Sequence, residues 1–461
     1  MKLTFLGAAQ GVTGSKTLLE LEHENYLIDY GLFQGGSKVR ALNWNSFQRI
    51  NDITAIFLTH AHIDHSGLLP RLAAQGYRGK IYSTPETFEL CKILLMDSAK
   101  IHQEDAKYAN KKKFSRHNPA LPLYTEKDAE KILSQFETIE FNTKTEISDN
   151  LSIEFFWAGH ILGASYIRIT AQTKSGPKNI IFSGDIGHDR NVLLKKPSTL
   201  CECDYLVLES TYGDRLHPRT SPIDVLELFL RTILKRDGVA VIPSFSVGRT
   251  QDILYIIKKL MENDLIPRVP VYLDSPLSRK ANSIFQRNLD EKFIKEEVLI
   301  DNNIFPPTLT EIETVRDSKE LNELKSQAMI IVSASGMLDG GRVVHHVKSR
   351  IEDKKNGIIF VGYQPEGTKG RILINGEKKL RLHKEEFRVE ADIFYVDALS
   401  AHADYLDTLD WLKQSNINPK LIILNHGEQR SLSNLKTLLE SELELKVTIA
   451  DLNEAFTLDS I

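Results

Sequence analysis

Cysteine is scarce: the 461 residues include three. Cys91, Cys201 and Cys203 are too few, and too awkwardly spaced, for a disulfide framework. Cys201-Glu202-Cys203 is not a CxxC pair, so incidental loop thiols are the expected reading. No uninterrupted apolar run reaches about eighteen residues, which excludes an expected transmembrane helix. The opening MKLTFLGAAQGVTGS lacks the long apolar core of a secretory signal and reads as a first strand. A cytoplasmic setting is therefore expected. Strong charge of one sign is also missing. A formal net charge of −4 does not advertise a polyanion-binding protein. Residues 215–395 hold 29 Lys+Arg against 26 Asp+Glu, leaving a more acidic remainder of 29 against 36. Internal repeats and low-complexity segments are absent as well.

The length exceeds what one core usually supports, so two or three domains are expected. Over the first 210 residues short strands alternate with turns: LTFLGA, KTLLELE, NYLIDYG, KIYSTP, LSIEFFWAG, SYIRITAQ, NIIFSGDIG and DYLVLESTYG. Two helical stretches interrupt them, one closed by Gly76 and one running from Thr87 to the basic run Lys111–His117, itself read as a solvated loop. From about residue 221 helices alternate with near-continuous apolar strands such as GVAVIPSF, AMIIVSASG and GIIFVGYQ, the pattern of a parallel α/β sheet. On the helix VVHHVKSR, packing is favoured over ligand contact for His345 and His346.

What is abundant is histidine at strand ends. LTHAHIDHSG (58–67) places His60, His62, Asp64 and His65 directly after the apolar run ending at Leu58. His160 follows LSIEFFWAG, Asp185 follows NIIFSG and His426 follows KLIILN. A lone histidine after a strand is usually structural. Four strands that each deliver a His or Asp beyond their carboxyl ends point to one shared site, because strand ends are rigid, partly exposed mounting points. Imidazole mixed with carboxylate and no thiolate suits zinc and tolerates manganese or iron. Seven candidates exceed the needs of one ion. Two divalent ions would use them all: His60, His62 and His160 on one, Asp64, His65 and His426 on the other, and Asp185 between. Paired ions of this kind hydrolyse phosphoesters.

HAHIDH has the HxHxDH form of the metallo-β-lactamase superfamily, and His160, Asp185 and His426 follow in that superfamily's order. Asp29 in LIDYG matches its first, site-ordering aspartate. The long α/β insertion before the last histidine resembles the β-CASP branch, whose members include RNA-processing nucleases of the cleavage-factor type. In that resemblance Glu209 in LESTYG matches the acidic motif A, His402 in SAHAD motif B, and His426 in NHGE motif C, where histidine accompanies RNA-processing members. SFSVGRTQDIL, DSPLS, SASGMLDGGR and GYQPEGTKGR extend the match through the insertion.

The resemblance implies an α/β fold: a metallo-β-lactamase αββα sandwich from residues 1–214 and 396–461, with an inserted α/β β-CASP domain at 215–395. It implies a two-metal ribonuclease, endonucleolytic, in which a metal-bridging hydroxide attacks phosphorus while Asp64 and Asp185 hold the ions. His402, polarised by Glu209, then protonates the leaving oxygen as general acid. RNA is expected to lie between the domains, with Ser335, Gly336, Arg249, Lys369 and Arg371 as phosphate contacts. The partner expected is RNA, with no membrane, and a homodimer is left open. Two rivals remain at this stage: a hydrolase of small esters or thioesters, and a catalytically silent RNA-processing scaffold.

Overall fold

The strand Ile53–Phe57 is buried at four of its five positions, as a strand covered on both faces must be. It pairs in parallel with Asn25–Ile28 and Lys80–Ser83 near the centre of a seven-stranded sheet. That sheet runs in the order Ala455–Thr457, Lys2–Gly7, Lys16–Glu20, Asn25–Ile28, Ile53–Phe57, Lys80–Ser83, Phe136–Thr138. A second seven-stranded sheet is ordered Val447–Ile449, Leu421–Asn425, Tyr205–Glu209, Gly176–Phe182, Ser165–Thr173, Leu151–Trp157, Thr145–Ser148. These are features of a computed structural model that describes every residue except Ser46, Phe114, Arg116, Lys325, Ser326, Glu366 and residues 459–461. Phe114 and Arg116 of the basic run thus lie outside the described residues.

The inner faces of the two sheets share one core. Leu3, Phe5, Leu19, Tyr26 and Phe57 from the first meet Ile153, Phe155, Ile167, Ile169, Phe182 and Ile423 from the second. Each such side chain, fully buried, contributes about 1.5–3 kcal/mol. Helices cover the outer faces: Pro85–Lys112 on the first sheet, Gln429–Leu443 on the second. This is an αββα sandwich.

In the second sheet Gly176–Phe182, Tyr205–Glu209 and Leu421–Asn425 are mutually parallel. Leu151–Trp157 reaches the same direction through two antiparallel steps across Ser165–Thr173. Four carboxyl ends therefore open on one edge.

The sandwich is one compact unit, comprising Met1–Asp189, Lys196–Leu216 and Ala401–Ile461. A second unit comprises Arg190–Lys195 and His217–Ser400. The hexapeptide Arg190–Lys195, which a contiguous boundary at 214 leaves with the sandwich, is bound into the second unit by backbone bonds between Lys195 N and Phe293 O and between Lys295 N and Leu193 O. The second unit holds a six-stranded, all-parallel sheet in the order Leu309–Glu311, Val271–Leu273, Met329–Ser333, Val239–Pro243, Gly357–Phe360, Asp392–Tyr395.

One helix departs from the sequence pattern, and one histidine keeps to it. Helix Glu126–Leu133 has only Ala129 and Ile132 buried, so it lacks a conspicuous apolar stripe. Its signal is the capping box, in which Thr125 and Asp128 bond each other's backbone. In the second unit, His346 is fully buried and its Nε2 lies 2.6 Å from Asp274 Oδ2. Asp274, equally buried, also accepts from Arg342 at 2.7 Å and Ser318 at 2.5 Å. These partners hold its carboxyl below the usual range although burial opposes ionisation. His346 thus packs within the fold. Asp274→Ala should lower the urea-unfolding stability of the second unit by about 3 kcal/mol, because His346, Arg342 and Ser318 lose their shared acceptor; an unchanged midpoint would show the network to be dispensable.

Candidate metal centre

The residues Asp29 to Leu32 are strapped beneath the HAHIDH turn. Tyr30 N donates to His65 O and Leu32 N to Ile63 O, at 2.8 and 2.9 Å. The approach is so close that a Cβ on Gly31 would stand 1.5 Å from the Asp64 carbonyl oxygen. Only glycine fits there. Gly187 does the same for the other side, where a Cβ would meet Gly159 O at 1.9 Å, so the loops carrying His160 and Asp185 lie in contact. Beyond His62 the chain forms a single helical turn, Ile63–Ser66, closed by Ser66 Oγ bonding Ala61 O at 2.9 Å.

This scaffold brings all seven candidate ligands together in the first unit, in two sets. In the first, His62 Nδ1 is 3.2 Å from both His60 Nε2 and His160 Nε2, and each of those is 3.5 Å from Asp185 Oδ2. In the second, His65 Nε2 lies 3.2 Å from His426 Nε2 and 3.2 Å from Asp185 Oδ1. Asp64 Oδ2 is 3.8 Å from His426 Nε2, and His426 Nδ1 is 3.6 Å from Asp185 Oδ1. The two oxygens of Asp185 thus face different sets. Donors about 2.0–2.1 Å from one tetrahedral ion sit about 3.3–3.4 Å apart, which the first set matches closely.

Three imidazole nitrogens at this spacing, two of them beside a carboxylate oxygen, make the donor set of one metal ion. Asp185 Oδ1, buried, accepts no hydrogen bond among the described residues. An orphaned carboxylate oxygen facing ring nitrogens fits a metal ion.

The opposite ring nitrogens have partners that fix which one carries the proton. His65 Nδ1 lies 2.7 Å from Asp29 Oδ2, and Asp29 is itself held by Thr59 N at 2.8 Å and Thr59 Oγ1 at 3.0 Å. His60 Nδ1 meets Thr59 Oγ1 at 3.1 Å, His160 Nδ1 the Ala401 carbonyl at 3.4 Å, and His426 Nδ1 Thr211 Oγ1 at 3.2 Å. The sequence alone assigns Thr59 and Thr211 no role, although Thr59 precedes His60 and Thr211 lies within LESTYG.

Burial drives His60 and His160 well below the ordinary imidazole pKa, leaving them neutral and ready to ligate. Burial acts the same way on His65, but the Asp185 and Asp29 charges overcome it and raise its pKa well above normal. Asp185 is held far below the carboxylate range, against burial, by His65, His426 and His60.

His402 and Glu209 meet beside the first set. His402 Nδ1 is 3.3 Å from Glu209 Oε1 and 4.0 Å from Asp185 Oδ2. Glu209, last residue of its strand, accepts from Ile186 N at 2.6 Å. Burial opposes a charge on His402, yet Glu209, with Asp185 and Asp64 beyond it, pushes its pKa up to about 9.

The remaining sequence candidates lie in the second unit, at the carboxyl edge of its sheet. Ser335 and Gly336 follow Met329–Ser333, and Gly336 O accepts from Gln364 Nε2 at 3.0 Å. Arg249, 10% exposed along its side chain, pairs with Asp252 at 3.1 Å. Lys369 Nζ donates to the Leu338 and Asp339 carbonyls, each at 3.2 Å. Arg371, half-buried, lies in the short helix Lys369–Ile374.

Comparison with known proteins agrees with this geometry. Residues 18–209 match a metallo-β-lactamase superfamily domain, 250–373 a β-CASP domain, and 386–450 a Zn-dependent metallo-hydrolase RNA specificity domain. Ribonuclease TTHA0252 of Thermus thermophilus is 34% identical over 446 residues, which cover 95% of this chain and 96% of that protein. Transcription termination factor FttA of a Lokiarchaeum species is 29% identical over 457 residues, 96% of this chain and 69% of that protein. A crystal structure of a protein of unknown function from Enterococcus faecalis shares the fold, with TM-score 0.54, 14% identity and 99% coverage of each chain. With its domains matched in sequence order and a relative aligned along nearly its whole length, the chain belongs to the β-CASP branch of the metallo-β-lactamase superfamily and is a metal-dependent hydrolase.

Proposed function

We propose that this protein is a cytoplasmic two-metal ribonuclease that cuts RNA internally. The observation that carries the reading is the division of Asp185, whose two oxygens face two separate imidazole sets. The RNA substrate rests on relatives named as a ribonuclease and a transcription termination factor, and on the matched RNA specificity domain. His60, His62 and His160 would hold one ion and Asp64, His65 and His426 the other, with an Asp185 oxygen available to each set. When bound, two divalent ions, most simply zinc, supply an activated water and offset charge on the phosphoryl oxygens.

The chain's own groups do the rest. Asp29 holds the His65 proton on Nδ1 and keeps Nε2 for the metal. His402 carries a proton at neutral pH and gives it to the leaving 3′-oxygen, while Glu209 holds the ring in place. Ser335, Gly336, Arg249, Lys369 and Arg371 contact RNA phosphates, Arg249 and Lys369 also bonding within their own loops. All seven ligands and both proton-handling residues come from one chain, so the chemistry needs no homodimer.

Three outcomes test this. Metal-free His65 binds a proton unusually tightly, so protons compete with metal. Metal content, measured by plasma mass spectrometry, should be two per chain at pH 8 and fall as pH drops; Asp29→Asn should hold less than wild type. His402→Ala should lower kcat for RNA by about 10²–10⁴ with metal content intact. It should also abolish an alkaline limb lying no higher than about pH 9, since neighbouring cations can only lower that pKa. Unaltered cleavage would remove His402 from the mechanism. A circular RNA should be cut as readily as its linear form; an intact circle would mean an exonuclease.

A further inference from the structure

Phe245 is 41% exposed, and no other phenylalanine among the described residues is exposed. It follows Val239–Pro243, the strand that the sheet of the second unit places between Met329–Ser333 and Gly357–Phe360. All three run parallel, so their carboxyl ends open on one edge, where α/β sheets hold their ligands. A single exposed apolar residue is ordinary and means nothing by itself. What sets Phe245 apart is how its ring is seated.

One edge of the ring, Cδ2 and Cε2, rests on two glycines, one from each neighbouring strand's loop. A Cβ on Gly336 would stand 3.3 Å from both carbons, and a Cβ on Gly362 would stand 3.3 Å from Cε2 and 3.5 Å from Cδ2. Neither glycine has a positive φ, so the backbone does not call for glycine there; room for the ring does. The two glycines are also tied together. Gln364, 1% exposed, donates its amide to the carbonyls of Gly336 and Gly362, each at 3.0 Å. The Phe245 backbone is fixed as firmly, its carbonyl accepting from Thr250 Oγ1 at 2.6 Å and Thr250 N at 3.2 Å. Ser244 N bonds Ser333 O at 3.0 Å, which links this loop to the strand before Gly336. The exposed ring is thus held in place by the fold, and a ligand that meets it pays little for ordering it.

The turn under the ring is the one read above as a phosphate contact, since Ser335 precedes Gly336. Phosphate and base are one sugar apart in a nucleotide, so a phosphate on that turn brings a base to the ring. Tyr363, 38% exposed, follows Gly362, and a second aromatic side chain therefore stands in the adjoining loop.

We propose that Phe245 is a stacking platform for one nucleobase of the RNA strand, with the Ser335–Gly336 turn holding a phosphate beside it. The proposal rests on the ribonuclease reading and adds to it a contact that no charged residue supplies. A phenyl ring has neither donor nor acceptor, so it takes any of the four bases and fixes the strand's position rather than its sequence. It needs an unpaired base, because bases inside a duplex are already stacked on one another. The substrate class is single-stranded RNA.

The metal-loaded full-length protein, acting on a short single-stranded RNA, tests this. Phe245→Leu keeps apolar bulk over the glycines and should lower kcat/KM by about 5- to 150-fold, the range for losing one base–aromatic stack. Phe245→Tyr should restore it. A scan of the same RNA with single abasic positions needs no variant and decides the matter if Phe245→Leu fails to fold. In the wild type, removal of one particular base should lower kcat/KM by a comparable factor. That penalty should vanish in Phe245→Leu, as it does when two changes break the same contact.

A flat scan in the wild type, or abasic penalties of equal size in wild type and Phe245→Leu, would overturn the platform and leave the ribonuclease reading intact. Wild-type kcat/KM in Phe245→Leu would do the same and return the ring to another role, such as contact with a protein. No cleavage of any RNA by the metal-loaded wild type would instead overturn the ribonuclease reading, and the platform with it.

Discussion

A single carboxylate, Asp185, has five imidazoles within 4.0 Å and is 2% exposed. Burying such a charge is costly unless it is compensated, and compensation here comes from ring nitrogens that must themselves be kept as acceptors. The first unit meets both demands at once. Outer partners such as Asp29, Thr59, Thr211 and the Ala401 carbonyl face the far sides of the rings, so the near sides converge as lone pairs. A cation is the species that reconciles a buried carboxylate with converging lone pairs.

The sandwich exists in the form needed to hold that arrangement. Parallel strands from two sheets end on one edge, and each donates one short loop. The loops are pressed together where Gly31 and Gly187 leave no room for a side chain. Placement of this kind is stiff because it runs through backbone hydrogen bonds rather than long side chains. His402 and Glu209 belong to the same framework: Ala403 N bonds Ile186 O one residue from Asp185, so the His402 ring and the Asp185 carboxylate are positioned by adjoining backbone.

How much of this could be read beforehand followed from sequence distance. HAHIDH and the residues after each apolar strand were legible because strand and ligand are contiguous. The inserted parallel sheet followed from runs of apolar strands between helices, whereas the αββα class followed from the family resemblance. Asp29, Glu209 and His402 are ordinary carboxylates and an ordinary histidine when taken alone; only family resemblance singled them out. Contacts assembled from distant segments were not legible. Asp274 draws its partners from positions 318, 342 and 346, and Lys16 meets aromatic rings at 30 and 33. Helix Glu126–Leu133 escaped for a different reason, since its start is written in a capping box rather than in hydrophobic periodicity.

If Asp185 is divided between two ions, anomalous X-ray scattering at the zinc edge from crystals of the metal-loaded protein will locate both. Two peaks should flank that carboxylate, one among His60, His62 and His160 and the other among Asp64, His65 and His426. A single peak, or scattering away from Asp185, would contradict that division.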